Sequence, residues 1–405
     1  MRERLTPAIA PPSPDWRVEL HRRALAALAE PAIGVPDLAR LAHHAEAAAD
    51  RDAVLRFAPA AAVQAAAVEA HREAADQYAR ALRFAQAISP VERADLLERF
   101  ADECFLTDLR QESLQALEEA LAIRRGTDDS LKLGETQRLR ARLLPFFARR
   151  GEARAAALEA AALLEHAPPG RELARTYARL AEISMHGREL DATMSWGMQA
   201  IELAAQVGDT EALVHGRRIV GVTQLLRGLP GGREKLERSI AIAKDAGLHG
   251  EVGEGYVNLA ATLSQLREWP LIDPVLEAGI DYCREHGLEV YLAYLTWGKA
   301  EGQLVRGRWS EAAETATSLL ANPPGGLIGA RYGGLLTLAL VRVRRGDPEY
   351  WPLLDEALAL AQQMGELLYL AHIATARAEA AWLEGRPEAI AAETDEAFEL
   401  ATGLG

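Results

Sequence analysis

The chain has 405 residues, 49% of them hydrophobic and 26% charged, and its 59 acidic against 45 basic side chains leave a net charge of −14. Such a field repels phosphate backbones over most of the surface, so direct nucleic-acid binding by this segment is not expected. No apolar run approaches the roughly 18 residues of a spanning helix. Met1 is followed by Arg2, Glu3 and Arg4, which also argues against a secretory signal. Cys104 and Cys283 are the two cysteines and lie far apart, so no disulfide framework is expected. They read as buried structural thiols of a protein in a reducing cytoplasm.

In chain order, Pro7, Pro11, Pro12 and Pro14 exclude a regular helix and make residues 1–14 an extended connector. Residues 15–87 read as two irregular, alanine-rich hairpins. Their helices span Asp15 to about Glu30, Asp37 to Ala49, Asp52 to Ala67 with an interruption or bend at Pro59, and Ala70 to Ala87 with Tyr78, Leu82 and Ala85 aligned. Residues 88–170 hold two further hairpins. The first opens at Ser89, Pro90 and Glu92, a capping hydroxyl, a first-turn proline and a carboxylate able to reach back to the cap. The second pairs Leu133–Arg149, with a kink expected at Pro145, and Glu152–His166.

From 171 to 405 one signal recurs. Loops at Gly208, Gly247, Gly287, Gly326 and Gly365 follow each other every 39 or 40 residues, and a second series at Gly187, Gly228, Arg267, Gly307, Gly346 and Gly385 falls between them at 39 to 41. Two interleaved series with one period mark six helical hairpins, each too small to bury its apolar face alone. Glycine after each outgoing helix supplies a left-handed residue, Asp347-Pro348 and Arg386-Pro387-Glu388 read as helix starts, and Asn322 to Gly326 is the longest break. Seven residues before each inner turn stand Gly221, Ala260, Ala300, Ala339 and Ala378, with Leu180 as the exception. This small residue at a helix crossing resembles the tetratricopeptide pattern, although the period exceeds that family's ~34 residues. The expected fold is all-α, a right-handed superhelix of antiparallel helical hairpins.

A more specific resemblance rests on Leu38 through Asp50 with His43, His44 and Glu46, on Val54 through Phe57 and Pro59, and on His71 through Leu82 with Glu73 and Tyr78. Gly208 through His215 and Tyr256 with Asn258 extend it. These stretches resemble the helical-repeat region of large ATP-binding bacterial transcription regulators of the LuxR and MalT type, over nearly the whole chain from about His21. In that family a nucleotide switch precedes the repeats and a DNA-binding helix-turn-helix follows them. The present sequence contains neither, and Gly228 through Lys235 lacks the spacing and hydroxyl of a phosphate-binding loop. The expectation is an excised or truncated repeat region whose proline-rich start joins a missing module. The resemblance implies a role in sensing a small-molecule inducer, protein or peptide and in contacting other domains of the same regulator. The alternative is a free-standing adaptor that holds a peptide or helix.

The concave surface, lined by the first helix of each pair, is where such repeats usually bind. Counting from the inner turns puts Tyr177, Arg218, Val257, Trp297, Leu336 and Thr375 in one slot and His215, Glu254, Tyr294, Gly333 and His372 in the slot three residues earlier. The expected groove is formed by His215, Arg218, Tyr256, Asn258, Tyr291, Tyr294, Trp297 and Glu301, with packing between repeats as the competing role for Tyr256 and Trp297. His43 and His44 project about 100° apart on a helix and share an ion only with a third, distant ligand, so they read as surface histidines and no metal is expected. Arg138, Arg140, Arg142, Arg149 and Arg150 around Pro145 suit either an anion or partner domain or a solvated face. No local catalytic motif occurs, so neither an enzyme nor a cofactor is expected; homo-oligomerisation is left open.

Overall fold

Alanine-rich segments with a helical period become twenty α-helices in the computed structural model, which describes residues 14–30, 35–68, 70–107, 109–147, 149–321 and 328–403. There are no strands among the described residues. The proline-rich start up to residue 13 and the break from Asn322 to Gly326 lie outside them. The chain divides into two compact units, Met1–Leu143 and Leu144–Gly405.

The first unit comprises α1 (Pro14–Ala29), α2 (Leu38–Ala47), α3 (Arg51–Ala66), α4 (His71–Leu82), α5 (Pro90–Leu106), α6 (Arg110–Arg124) and α7 (Ser130–Leu143). Asp37 and Asp50 cap α2 and α3, accepting hydrogen bonds from the Arg40 and Ala53 amides at 3.1 Å each. Ser89 and Glu92 form the reciprocal box at the start of α5: the Glu92 amide donates to Ser89 Oγ at 3.2 Å and the Ser89 amide to Glu92 Oε2 at 2.9 Å. The core is built largely from small side chains, Ala42, Ala45, Ala58, Ala62, Ala74 and Ala81 around Leu41, Val54 and Tyr78. Small residues let helix axes approach closely, at the expense of apolar area buried per residue.

Two proline expectations are corrected. α3 is not interrupted at Pro59 but runs through it, with α2 and α4 both packed on it. Pro145 does not kink a longer helix. α7 stops at Leu143, and Leu144–Phe147 form a 3-10 turn, because the pyrrolidine ring disfavours helical geometry in the residue before it.

The second unit begins with that turn and with α8 (Arg150–Leu164). Six hairpins follow: α9 (Arg171–His186) with α10 (Leu190–Val207), α11 (Thr210–Leu226) with α12 (Gly232–Asp245), α13 (His249–Gln265) with α14 (Trp269–Glu285), α15 (Glu289–Val305) with α16 (Trp309–Ala321), α17 (Ile328–Arg345) with α18 (Trp351–Met364), and α19 (Leu367–Leu383) with α20 (Ile390–Gly403). Each first helix packs on the first helix of the next hairpin, α9 on α11 and so on to α17 on α19, as in a tetratricopeptide-like solenoid.

The turn chemistry follows the period with two departures. Gly208, Gly247, Gly287 and Gly365 end outgoing helices at φ between 64° and 70°, a left-handed conformation that costs a glycine nothing. At the first inner turn the left-handed residue is Arg188 at φ 61°, not Gly187 at φ −75°, and Arg267 at φ 60° does the same job without a glycine. Asp347 does not start a helix. Its amide closes the end of α17 on the Arg342 carbonyl at 2.9 Å, and α18 begins at Trp351 with Pro352 in its first turn. At the crossing position Gly221 is closely packed, since a Cβ there would lie 3.0 Å from the Gly232 carbonyl oxygen. Cys104 and Cys283 are free and buried, and burial pushes their thiols up to about 12 and about 11.

Candidate functional site

The inner wall of the second unit carries two groups of side chains. The first is ionic. Arg218 on α11, with 1% of its side chain exposed, donates to Glu254 Oε1 at 2.8 Å and reaches Glu251 Oε2 at 3.4 Å, both on α13. On its other side His215 Nε2 lies 3.1 Å from Glu182 Oε2 on α9, and Arg179 also pairs with Glu182. Burial alone would lower the pKa of Arg218, but Glu254, Glu251 and Glu182 together raise it, so it is a permanent cation. Burial opposes ionisation of Glu182, yet Arg179, His215 and Arg218 hold its pKa well below the usual carboxylate range. Glu254 is shifted the other way by burial, an effect its contact with Arg218 only partly offsets.

The second group is aromatic and rests on glycines. Tyr291 lies over Gly253, Tyr294 over Gly329 and Trp297 over Gly333, where a Cβ would fall 2.2 Å from Cδ2 of the indole. The Trp297 ring meets Tyr332 edge-on at 5.9 Å and stacks with Tyr369 at 6.2 Å, and Tyr332 Oη donates to the Tyr369 carbonyl at 2.9 Å. Gly333→Ala is therefore expected to lower stability by about 1–3 kcal/mol through overpacking, even though alanine by itself favours a helix by up to ~1 kcal/mol. Gly250→Ala, whose Cβ would meet only Tyr291 Oη at 3.9 Å, should be neutral or stabilising when both variants are compared by urea titration. Equal effects at both positions would contradict the packing argument.

The curve of this unit brings its early helices against α19. Arg150 at the start of α8 pairs with Glu366, the residue capping α19, and His186 Nδ1 lies 3.8 Å from the same carboxylate. His186 keeps 44% of its side-chain surface exposed. Burial is the largest cause lowering its pKa to about 4; Glu182 opposes that shift, while Arg150, Arg179 and Arg218 add to it. Between pH 6.5 and about 4 the unfolded chain binds a proton at His186 that the folded chain does not, so this group makes stability fall as the pH drops through that window. His186→Gln is expected to flatten the decline in Tm over that interval, and an unchanged slope would refute the assignment.

Of the residues singled out from the sequence, His215, Arg218 and Tyr291 come together with Glu251 and Glu254, and Tyr294 joins Trp297. Arg218 is committed to carboxylates. Tyr256 is placed elsewhere, in the core between repeats, its hydroxyl accepting a hydrogen bond from Lys244 Nζ at 2.9 Å. Asn258 turns back on its own helix and donates to the Glu254 carbonyl at 2.8 Å. Glu301 is half-buried with no hydrogen bond or ion pair among the described residues, and burial raises its pKa. The residues not foreseen are Glu182, His186, Tyr332, Glu366 and Tyr369, while Arg150 is foreseen only as one of the arginine cluster. Glu182 left a signal: five residues before the inner turn the other hairpins carry Thr223, Thr262, Gly302, Val341 and Ala380, so a carboxylate there is out of pattern. The arginine cluster offers no anion seat at four of its members, since Arg140, Arg142, Arg149 and Arg150 pair with Glu118, Asp102, Glu152 and Glu366.

No family model matches the chain, and no curated protein matches it. Solved structures do. A Rap protein complexed with Competence and Sporulation Factor is similar at 11% identity and a TM-score of 0.59, over 86% of this chain and 99% of that one. Aspartyl phosphate phosphatase F from Bacillus subtilis is similar at 11% identity and a TM-score of 0.51, over 89% and 96%. At such identities the likeness establishes the tetratricopeptide-like fold. No helix among the described residues is long and apolar enough to cross a membrane.

Proposed function

We propose that the second unit is a sensor for a short peptide with a basic group, bound on the inner wall between the ionic cluster and the aromatic shelf. The observation that carries this reading is the half-buried, unpaired carboxylate of Glu301 beside the Tyr332 and Trp297 rings, on a wall where Arg218 and Arg150 already have acidic partners. An unsatisfied acid beside aromatic rings suits an ammonium or guanidinium. The similarity in fold to a Rap protein complexed with Competence and Sporulation Factor supports a binding role for this kind of fold. The reading assigns the chain binding and no reaction of its own.

The test is calorimetric titration of a short-peptide panel, with metabolites and sugars as a second arm. A peptide bearing Lys or Arg should bind, and Glu301→Gln should weaken it by about 10-fold or more, the worth of a charge-assisted hydrogen bond. Binding confined to sugars or metabolites would overturn the peptide reading. In the finer reading, supported by the resemblance over Leu38 through Leu82 and later stretches, the peptide biases the nucleotide switch of a LuxR- or MalT-type regulator. That requires different affinities for its resting and active arrangements. Coding sequence continuous with a phosphate-binding loop and a helix-turn-helix favours it over a free-standing adaptor.

A further inference from the structure

Three histidines meet in the first unit, away from the inner wall. His21 comes from α1, His43 and His44 from α2, and their donor nitrogens all lie within 4.8 Å of one another. The ring centroids are 5.1, 5.3 and 5.9 Å apart, and His21 Nδ1 stands 2.8 Å from His44 Nδ1. Two nitrogens at that distance share one proton, so one of them presents a lone pair to the other ring. The adjacent histidines thus acquire the third donor that a single helix cannot supply, from a residue 23 positions earlier.

We infer that His21, His43 and His44 form a three-imidazole site for a borderline transition-metal ion such as Zn²⁺, with a fourth position open to water. A tetrahedral ion with bonds of about 2.0–2.1 Å to nitrogen holds its donors about 3.3 Å apart. The His21–His44 pair must open by about half an ångström, and His43 must swing inward, which ring rotation supplies because His43 is exposed and the other two are half-buried. The donor set is all nitrogen: Glu46, two residues along, is held by Arg80 at 2.8 Å and Arg83 at 3.0 Å. Imidazole sets of this kind suit Zn²⁺, Cu²⁺ and Ni²⁺ and discriminate against Mg²⁺ and Ca²⁺. Arg40 lies near enough to His44 to act on it, so affinity comes from coordinate bonds and not from the local field.

Such a site has a mechanical consequence. Leu25 is the one buried apolar residue among the described positions of α1, while Trp16 and Leu20 are 54% and 49% exposed. A bound ion would cross-link a weakly anchored helix to α2, as a clip does.

The full chain, stripped with a chelator, is titrated with Zn²⁺ by calorimetry and with Co²⁺ by visible absorption, and trypsin cleavage after the exposed Arg22 and Arg23 is followed in parallel. One ion per chain is expected, with slower cleavage when Zn²⁺ is present. His21→Gln and the exposed His43→Gln should each weaken binding at least about tenfold and abolish the protection, whereas His166→Gln should change neither. The metal-free Tm of each variant is measured alongside, and His43→Gln carries the test should His21→Gln unfold. No binding, or binding and protection unaltered by both substitutions, would overturn the site. None of these readouts depends on the peptide reading.

Discussion

Arg124→Met is expected to lower the unfolding free energy by about 3–5 kcal/mol, the cost of stripping one partner from a buried ion pair. Arg124 has 1% of its side chain exposed and grips Glu98 with two bonds of 2.9 Å, while a third at 2.5 Å reaches Asp95. Glu98 keeps 11% exposure, so without the guanidinium its carboxylate would be left with the Thr136 hydroxyl at 2.5 Å as its remaining partner. The pKa of Arg124 is raised chiefly by Glu98, with burial opposing, so the cation persists at any working pH. Replacing both partners by methionine removes the stranded charge along with the pair, and the double variant should recover most of the loss. Urea titrations of the two single variants and the double variant measure this. A double variant as weak as Arg124→Met would show that the arginine acts by packing and not by compensating charge.

Arg218→Met should cost about 3 kcal/mol, the lower end of the same range, because Glu254 and Glu251 retain 28% and 18% exposure and so keep some solvation. Its signature is the pH dependence. Burial already raises the pKa of Glu254, and Arg218 is the largest influence holding it down. Without Arg218 the folded-state pKa of Glu254 rises further above its unfolded value. A carboxyl shifted in that direction is stabilising below its unfolded pKa and loses that contribution as pH rises through the folded pKa. The deficit of Arg218→Met should therefore shrink on going from about pH 7.5 to about pH 5. Thermal melts of both proteins across that range give the comparison, and a deficit that grows on acidification would place the effect elsewhere. On the proposed peptide reading, affinity should fall as well, since Tyr291 packs on Gly253 between Glu251 and Glu254.

Within the inner wall, what sequence reasoning found and what it missed divide along one line. His215, Arg218, Tyr291, Tyr294 and Trp297 recur at or beside a slot set by the distance from an inner turn, and helical periodicity places that slot on one face. Tyr256 and Asn258 fell on the same stretch of α13, yet two residues along a helix amount to about half a turn, so the two side chains leave from opposite faces. A period of about 3.6 residues leaves neighbours on different sides. Arg150 and Glu366 could not be paired from the text, because α8 and α19 have no sequence relation.

The hairpins, their spacing and most of their boundaries were legible in local chemistry: the Ser89 box, glycines free to turn left-handed, and small residues at crossings. Each acts within a few residues of itself, so reading it needs no knowledge of what lies across the fold. The prolines at 59 and 145 mark the limit of that reading, since a helix runs through one and stops two residues before the other. The curl that sets Arg150 against Glu366 and the meeting of His21 with His43 and His44 were decided by packing. Curvature accumulates from small rotations between successive hairpins, and no single turn encodes their sum.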